Sequence, residues 1–139
     1  MKIIFLIMIY FMSLQADYIR DDTNNIIVDT TTKLVWQDNT SPSTMDWTTA
    51  ISYCEALSLG SFSDWRLANI TEMASLVDFT RTSPSINSKF QNIYSSDYWT
   101  STTTKGNTSN ALYVNFVSGN HDKSAKTITK SVRCVRAGQ

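Results

Sequence analysis

The chain is poor in the residues that carry most recognisable chemistry: in 139 residues it has two cysteines, two prolines, four glycines and one histidine. So few Cys and His residues form no cluster with zinc-ligand spacing, and no metal or cofactor is expected. No serine stands in a Gly-x-Ser-x-Gly elbow, which removes the commonest hydrolase signature. The single histidine, His121, lies in a polar stretch beside Asp122. A lone histidine in a loop reads as a surface residue rather than a general base, so no catalytic residue is expected and the chain is not read as an enzyme. The scarcity of Pro and Gly excludes a flexible low-complexity linker despite the abundance of Ser, Thr and Asn. Twelve Lys and Arg balance twelve Asp and Glu, whereas a nucleic-acid-binding domain is usually basic.

The one long apolar run comes first. Met1-Lys2 precedes Ile3 to Met12, followed by Ser13-Leu14-Gln15-Ala16. A charged start, an apolar run of this length and a small residue before a polar stretch have the form of a secretory signal peptide. As helix the run would span only about 15 Å, half the hydrocarbon core, so it is too short for a membrane anchor. Cleavage is expected after Ala16, although Leu14 stands where a small residue is preferred. No cysteine follows the run to take a lipid. The expected product is one exported domain, residues 17–139, soluble once the leader is removed and long enough to bury roughly two thirds of its unfolded surface. Periplasm, cell surface and medium are all open destinations.

Export bears on Cys54 and Cys134. In an oxidising compartment they are best read as one long-range disulfide, worth about 4.5 kcal/mol in the chain-entropy model. Two unpaired buried thiols acting as small hydrophobes are the other reading.

Ile26-Ile27-Val28 and Leu34-Val35-Trp36 flank a polar turn and read as a hairpin. Ser43 and Asp46 have capping-box spacing, and Trp47, Ala50, Ile51, Cys54 and Leu57 follow at helical intervals, with Gly60 placed to end that helix. Asn69 and Glu72 announce a second helix that buries Ile70, Met73, Leu76 and Val77, and Pro84 marks the loop beyond. Tyr98 to Thr102 and Leu112 to Val117 read as strands, with Leu112, Val114 and Phe116 on one face. Ser118 to Asp122 then forms a turn, and a last strand runs through Ile128 and Val132 to Val135. Two helices within a frame of short antiparallel strands make the fold class α+β.

Five segments in order, Leu34-Val35-Trp36-Gln37-Asp38, Trp47 with Ala50 and Cys54, Asp64 to Ile70 with Glu72, Tyr98 to Thr102, and Val132-Arg133-Cys134-Val135-Arg136, closely resemble the Lcl C-terminal domain family. The family takes its name from the C-terminal domain of a bacterial collagen-like adhesin. The resemblance covers nearly all of residues 17–139. It implies an exported bacterial protein, a C-type lectin-like fold and a Cys54–Cys134 disulfide. Ala68 departs from the proline usual after Trp-Arg-Leu, and no collagen-like repeat is present. The calcium-binding Glu-Pro-Asn, Gln-Pro-Asp and Trp-Asn-Asp motifs of C-type lectins are absent, so calcium is not expected. Similar folds include enzymes of the formylglycine-generating type, but these need reactive cysteines.

The shared motifs read first as architecture. Trp36, Trp47, Trp65 and Trp99 are expected in the core with their indole N–H groups partnered, and Arg66 against Asp64 or Glu72. Arg133 belongs to the same structural set. Asn39, Asn69 and Asn107 begin Asn-x-Ser/Thr triplets, which a chain of this composition produces by chance. Binding is expected on the polar loops Thr103 to Asn110 and Ser118 to Lys126. Lys105, Lys123 and Lys126, with Lys130 at the start of the last strand, could share one surface and meet an acidic polysaccharide, and Asn107 and His121 are the further candidate contacts for a glycan or an envelope protein. The resulting expectation is an exported adhesion-type recognition module; the alternative is a structural or assembly protein of the cell envelope without a small ligand.

Overall fold

The computed structural model describes residues 17–39, 44–94 and 96–138. The leader and Ser43 lie outside the described residues. Eight strands and two helices follow one another as β1 (Tyr18–Asp21), β2 (Ile26–Asp29), β3 (Leu34–Gln37), α1 (Trp47–Glu55), β4 (Arg66–Leu67), α2 (Ile70–Ser75), β5 (Asp97–Thr103), β6 (Asn110–Asn115), β7 (His121–Ala125) and β8 (Cys134–Ala137). The described elements form a five-stranded sheet in the order β1-β2-β3-β8-β4 and a three-stranded sheet in the order β5-β6-β7, with every strand pairing antiparallel. The class is therefore α+β, with both ends of the described chain in one sheet.

The β2–β3 hairpin is the one expected from its apolar runs, and alternation along it builds both cores. Ile27 and Trp36 point to one side, with Tyr18, Met73, Leu76, Tyr98, Val114, Phe116 and Val135. Ile26 and Val35 point to the other, with Ala50, Cys54, Trp65, Leu67, Trp99 and Cys134. Antiparallel pairing places directly opposed side chains on the same face, so each residue step along a strand moves a side chain from one core to the other.

The helices are short, and their caps define them. Asp46 is itself the N-cap of α1, accepting from the Thr49 amide at 2.8 Å. It is therefore the capping residue rather than the third-position partner of Ser43. Helix α1 ends at Glu55, four residues before Leu59, and not at Gly60. Gly60 instead occupies the turn between the paired residues Leu59 and Phe62 with φ +63°, where a Cβ would stand 3.3 Å from Asn24. Helix α2 carries the full capping box: Asn69 accepts from the Glu72 amide at 2.8 Å, and the Glu72 carboxylate accepts from the Asn69 amide. The disulfide joins Cys54 of α1 to Cys134 of β8 across 80 residues.

Two expectations fail in the second half. The segment read as a turn through Asp122 closes earlier, since His121 and Asp122 already pair with Val114 and Tyr113 in β7. The last strand does not begin at Ile128. That residue is 49% exposed in a turn closed by the Ile128 amide donating to Ala125, and the regular strand starts at Cys134. Between them Lys130 and Ser131 make only single bridges, to Met45 ahead of α1 and to Tyr98 of β5. Strands β1 and β4 were not expected. Both are short, and β1 carries the mixed sequence Tyr-Ile-Arg-Asp, in which no alternation is visible.

Candidate functional site

Three of the four tryptophan N–H groups are anchored as packing requires. Trp47 donates to the Thr100 carbonyl at 2.8 Å, Trp99 to Met45 at 3.1 Å, and Trp65 to Phe62 and Leu59 at 3.2 and 3.3 Å. Trp36 is fully buried with no hydrogen-bond partner for its N–H among the described residues. Arg66 takes the second of its two expected partners: its guanidinium forks onto Glu72 at 2.9 and 2.8 Å. With its side chain 46% exposed, it is a surface pair rather than a buried one. Asp64 turns instead to Arg136.

Arg133 is the buried member of the structural set. Its side chain, 3% exposed, donates to the fully buried Asp38 carboxylate at 2.9 Å, to the Asn92 carbonyl at 2.6 Å and to the Gln37 carbonyl. Asp38 also accepts from Arg20 and from the Gln91 and Asn92 amides. Phe90 and Tyr98 lie beneath the guanidinium, 5.1 and 5.9 Å from ring centre to charge. A buried carboxylate held by two arginines and two amides meets the conditions under which ionic burial is tolerated. It pins the end of β3 to β8 and to the 90–92 segment. Sequence reasoning placed Asp38 in a motif without seeing this role; an acid ending an apolar strand was the available signal.

The six candidate binding residues are dispersed, and the four lysines expected on one surface do not share it. The turns between β5 and β6 and between β6 and β7 stand at opposite ends of β6, a six-residue strand, so they are roughly 17 Å apart. Lys105 and Asn107 are exposed at the first turn, where the Asn107 side chain accepts from the Ser109 amide at 3.1 Å. His121 is exposed at the other end, and Lys123 lies between them on the outer strand β7. Lys126 reaches back to α1: its ammonium sits 3.7 Å from the Trp47 ring centre and donates to Thr103 at 2.9 Å. Lys130 is 8% exposed, donates to Asp97 at 2.9 Å and lies 3.9 Å from the Tyr113 ring centre. It is packed as a core cation and does not join the exposed lysines. The nearby phenol of Tyr113 is raised above its ordinary pKa by burial and then by Asp97 and Asp122. Those two carboxylates make that face mixed in charge rather than basic.

A groove opens elsewhere, on the five-stranded sheet. It has a volume of about 510 Å³ and is lined by Ile26, Val28 and Val35 from the sheet, Phe62 and Asp64 from the loop after α1, and Arg136 from β8. Arg136 forks onto Asp64 at 2.6 and 3.1 Å and stacks on Phe62 with its charge 3.7 Å from the ring centre. This hydrogen-bonded pair holds the Asp64 carboxyl below its ordinary pKa. Among the described residues no group of three or more His, Cys, Asp or Glu is arranged to hold a metal ion, and no helix is long and apolar enough to cross a membrane.

The order and spacing of these motifs match the family model of the Lcl C-terminal domain over residues 25–136. The chain belongs to the Lcl C-terminal domain family. No curated protein matches the chain.

Proposed function

We propose that this protein is an exported bacterial recognition module of the adhesion type, acting by binding rather than catalysis at the cell surface, in the periplasm or outside the cell. Its ligand is a glycan or an envelope protein. One observation carries the reading: the three-stranded sheet is anchored from beneath by Lys130, Trp99 and Trp47, while its outer strand β7 exposes His121, Asp122, Lys123 and Ala125, side chains with no packing duty. Binding residues concentrate on such polar elements when a rigid scaffold holds them. Family membership supports a surface-associated role, and the leader supports export. Two helices on antiparallel sheets, closed by a disulfide between the first helix and the last strand, support a C-type lectin-like frame.

The test is a screen of the disulfide-bonded protein against a glycan panel that includes heparin and against envelope extracts. The Lys105→Glu/Lys123→Glu variant is run alongside. Saturable binding that the variant loses supports the reading. Binding that the variant retains moves the recognition surface elsewhere. No binding at all favours the envelope-structural role, and turnover that depends on His121 would replace both.

A further inference from the structure

The groove lies on the five-stranded sheet, whereas β7 is the outer strand of the three-stranded one, and the groove's chemistry is different. The floor is made by Ile26, Val28 and Val35, which share one face by register. Beyond the groove this face continues to Ile19, which pairs with Val28 and is 55% exposed. Helix α1 and Trp65 cover the rest of that face within the second core; Ile26 and Val35, 6% and 5% exposed, form the bottom of the groove, and Val28 is its half-buried, more open part. Its volume falls within the range of sites that enclose small organic molecules.

The charges around the floor are asymmetric. Arg136, with its side chain 7% exposed, forms the inner wall, whereas its partner Asp64 is 61% exposed and faces solvent at the rim. Two nitrogens of the guanidinium, Nε and Nη2, are engaged by Asp64. Among the described residues the third, Nη1, donates no hydrogen bond. Lys33 adds a second cation to the lining, held in its turn with φ +64°. Two cations and one carboxylate around an apolar floor leave the groove with one net positive charge, and a guanidinium is the side chain best shaped to grip a carboxylate.

We propose that this groove is a binding site for a small amphiphile carrying a carboxylate on an apolar body. The hydrocarbon lies on Ile26, Val28 and Val35 against the edge of Phe62, and the carboxylate meets Arg136 and Lys33. Removing water from the apolar floor supplies the attraction, and the cations select the head group.

The probe is decanoate, kept below its self-association concentration and followed by amide chemical-shift titration, with decanol and decylamine as controls. Saturable shifts are expected at Ile26, Val28, Val35 and residues 61–64, with decanoate binding at least about tenfold tighter than either control. Lys33→Glu changes a rim side chain away from the Arg136–Asp64 pair and should keep the native spectrum, whereas Phe62→Ala also removes the ring on which Arg136 stacks; each should weaken decanoate by roughly tenfold. The proposal is overturned by the absence of saturable shifts at these residues, by decanol binding as tightly as decanoate, or by full affinity in both variants.

Discussion

The two sheets treat their most buried charges differently. At the ends of β3 and β8 in the five-stranded sheet a pair goes inward: Asp38 and Arg133 are buried and joined to Arg20, to backbone amides and to carbonyls, while Arg66 and Asp64 stay at the surface. Around the three-stranded sheet Lys105 and Lys123 stay at the surface, Lys126 lies over Trp47, and Lys130 is drawn inside, where Asp97 and Tyr113 receive it. A buried ion pair is costly to break because the partner left behind has lost its water. An exposed lysine loses almost nothing when changed. The buried pair therefore helps to specify the fold together with the core side chains that both sheets supply, whereas the exposed lysines can be changed without touching either.

The largest expected effect comes from splitting the buried pair. Asp38→Ala leaves Arg133 buried and uncompensated, and urea denaturation should show a loss of about 3 to 5 kcal/mol. A loss below 1 kcal/mol would mean that the frame does not depend on this pair. Next is the clasp: Cys54→Ala under oxidising conditions should destabilise by roughly 2 to 5 kcal/mol, because it frees an 80-residue loop in the unfolded chain.

The five-stranded sheet should also show an alkaline signature. Tyr18 is 5% exposed, and burial, followed by the nearby charges of Asp29 and Asp78, pushes its phenol up to about 12. A folded-state value above the unfolded one means that the stability it confers is complete below about pH 10 and is lost as pH rises from there to about 12, by roughly 2 to 3 kcal/mol. Tyr18→Phe should flatten that part of a stability–pH curve. A slope unchanged in the variant would assign the effect to another group.

Smaller still is Arg66→Ala. It removes a half-exposed pair with Glu72 and should cost no more than about 1 kcal/mol by urea denaturation. A larger loss would make the α2 entrance part of the locked frame.

Much of the locked region was legible in the sequence. The β2–β3 hairpin shows in its apolar runs, α2 in its Asn69/Glu72 capping box, and the clasp in two cysteines behind an apolar N-terminal run. The three-stranded sheet was less so. His121 and Asp122 look like turn residues, yet they pair in β7, because an outer strand needs hydrogen bonds on only one side and tolerates polar side chains on both faces. Lys130 looks like an exposed base. It is buried because Trp99 and Tyr113 supply ring faces and Asp97 a carboxylate, partners that folding brings from 17 to 33 residues away. The groove was invisible for the same reason. Its floor, its aromatic edge and its Arg136–Asp64 wall come from separate stretches of chain, and only the register of β2, β3 and β8 sets them side by side.

The contrast between the buried pair and the exposed lysines is tested most directly by the binding isotherm of the Lys105→Glu/Lys123→Glu variant, using a ligand that the glycan and envelope screen yields for the wild-type protein. The variant's unfolding free energy is expected to stay within about 0.5 kcal/mol of wild type, and its affinity to collapse. Full affinity at unchanged stability would contradict the account, because the exposed lysines would then be neither holding the fold nor meeting the ligand.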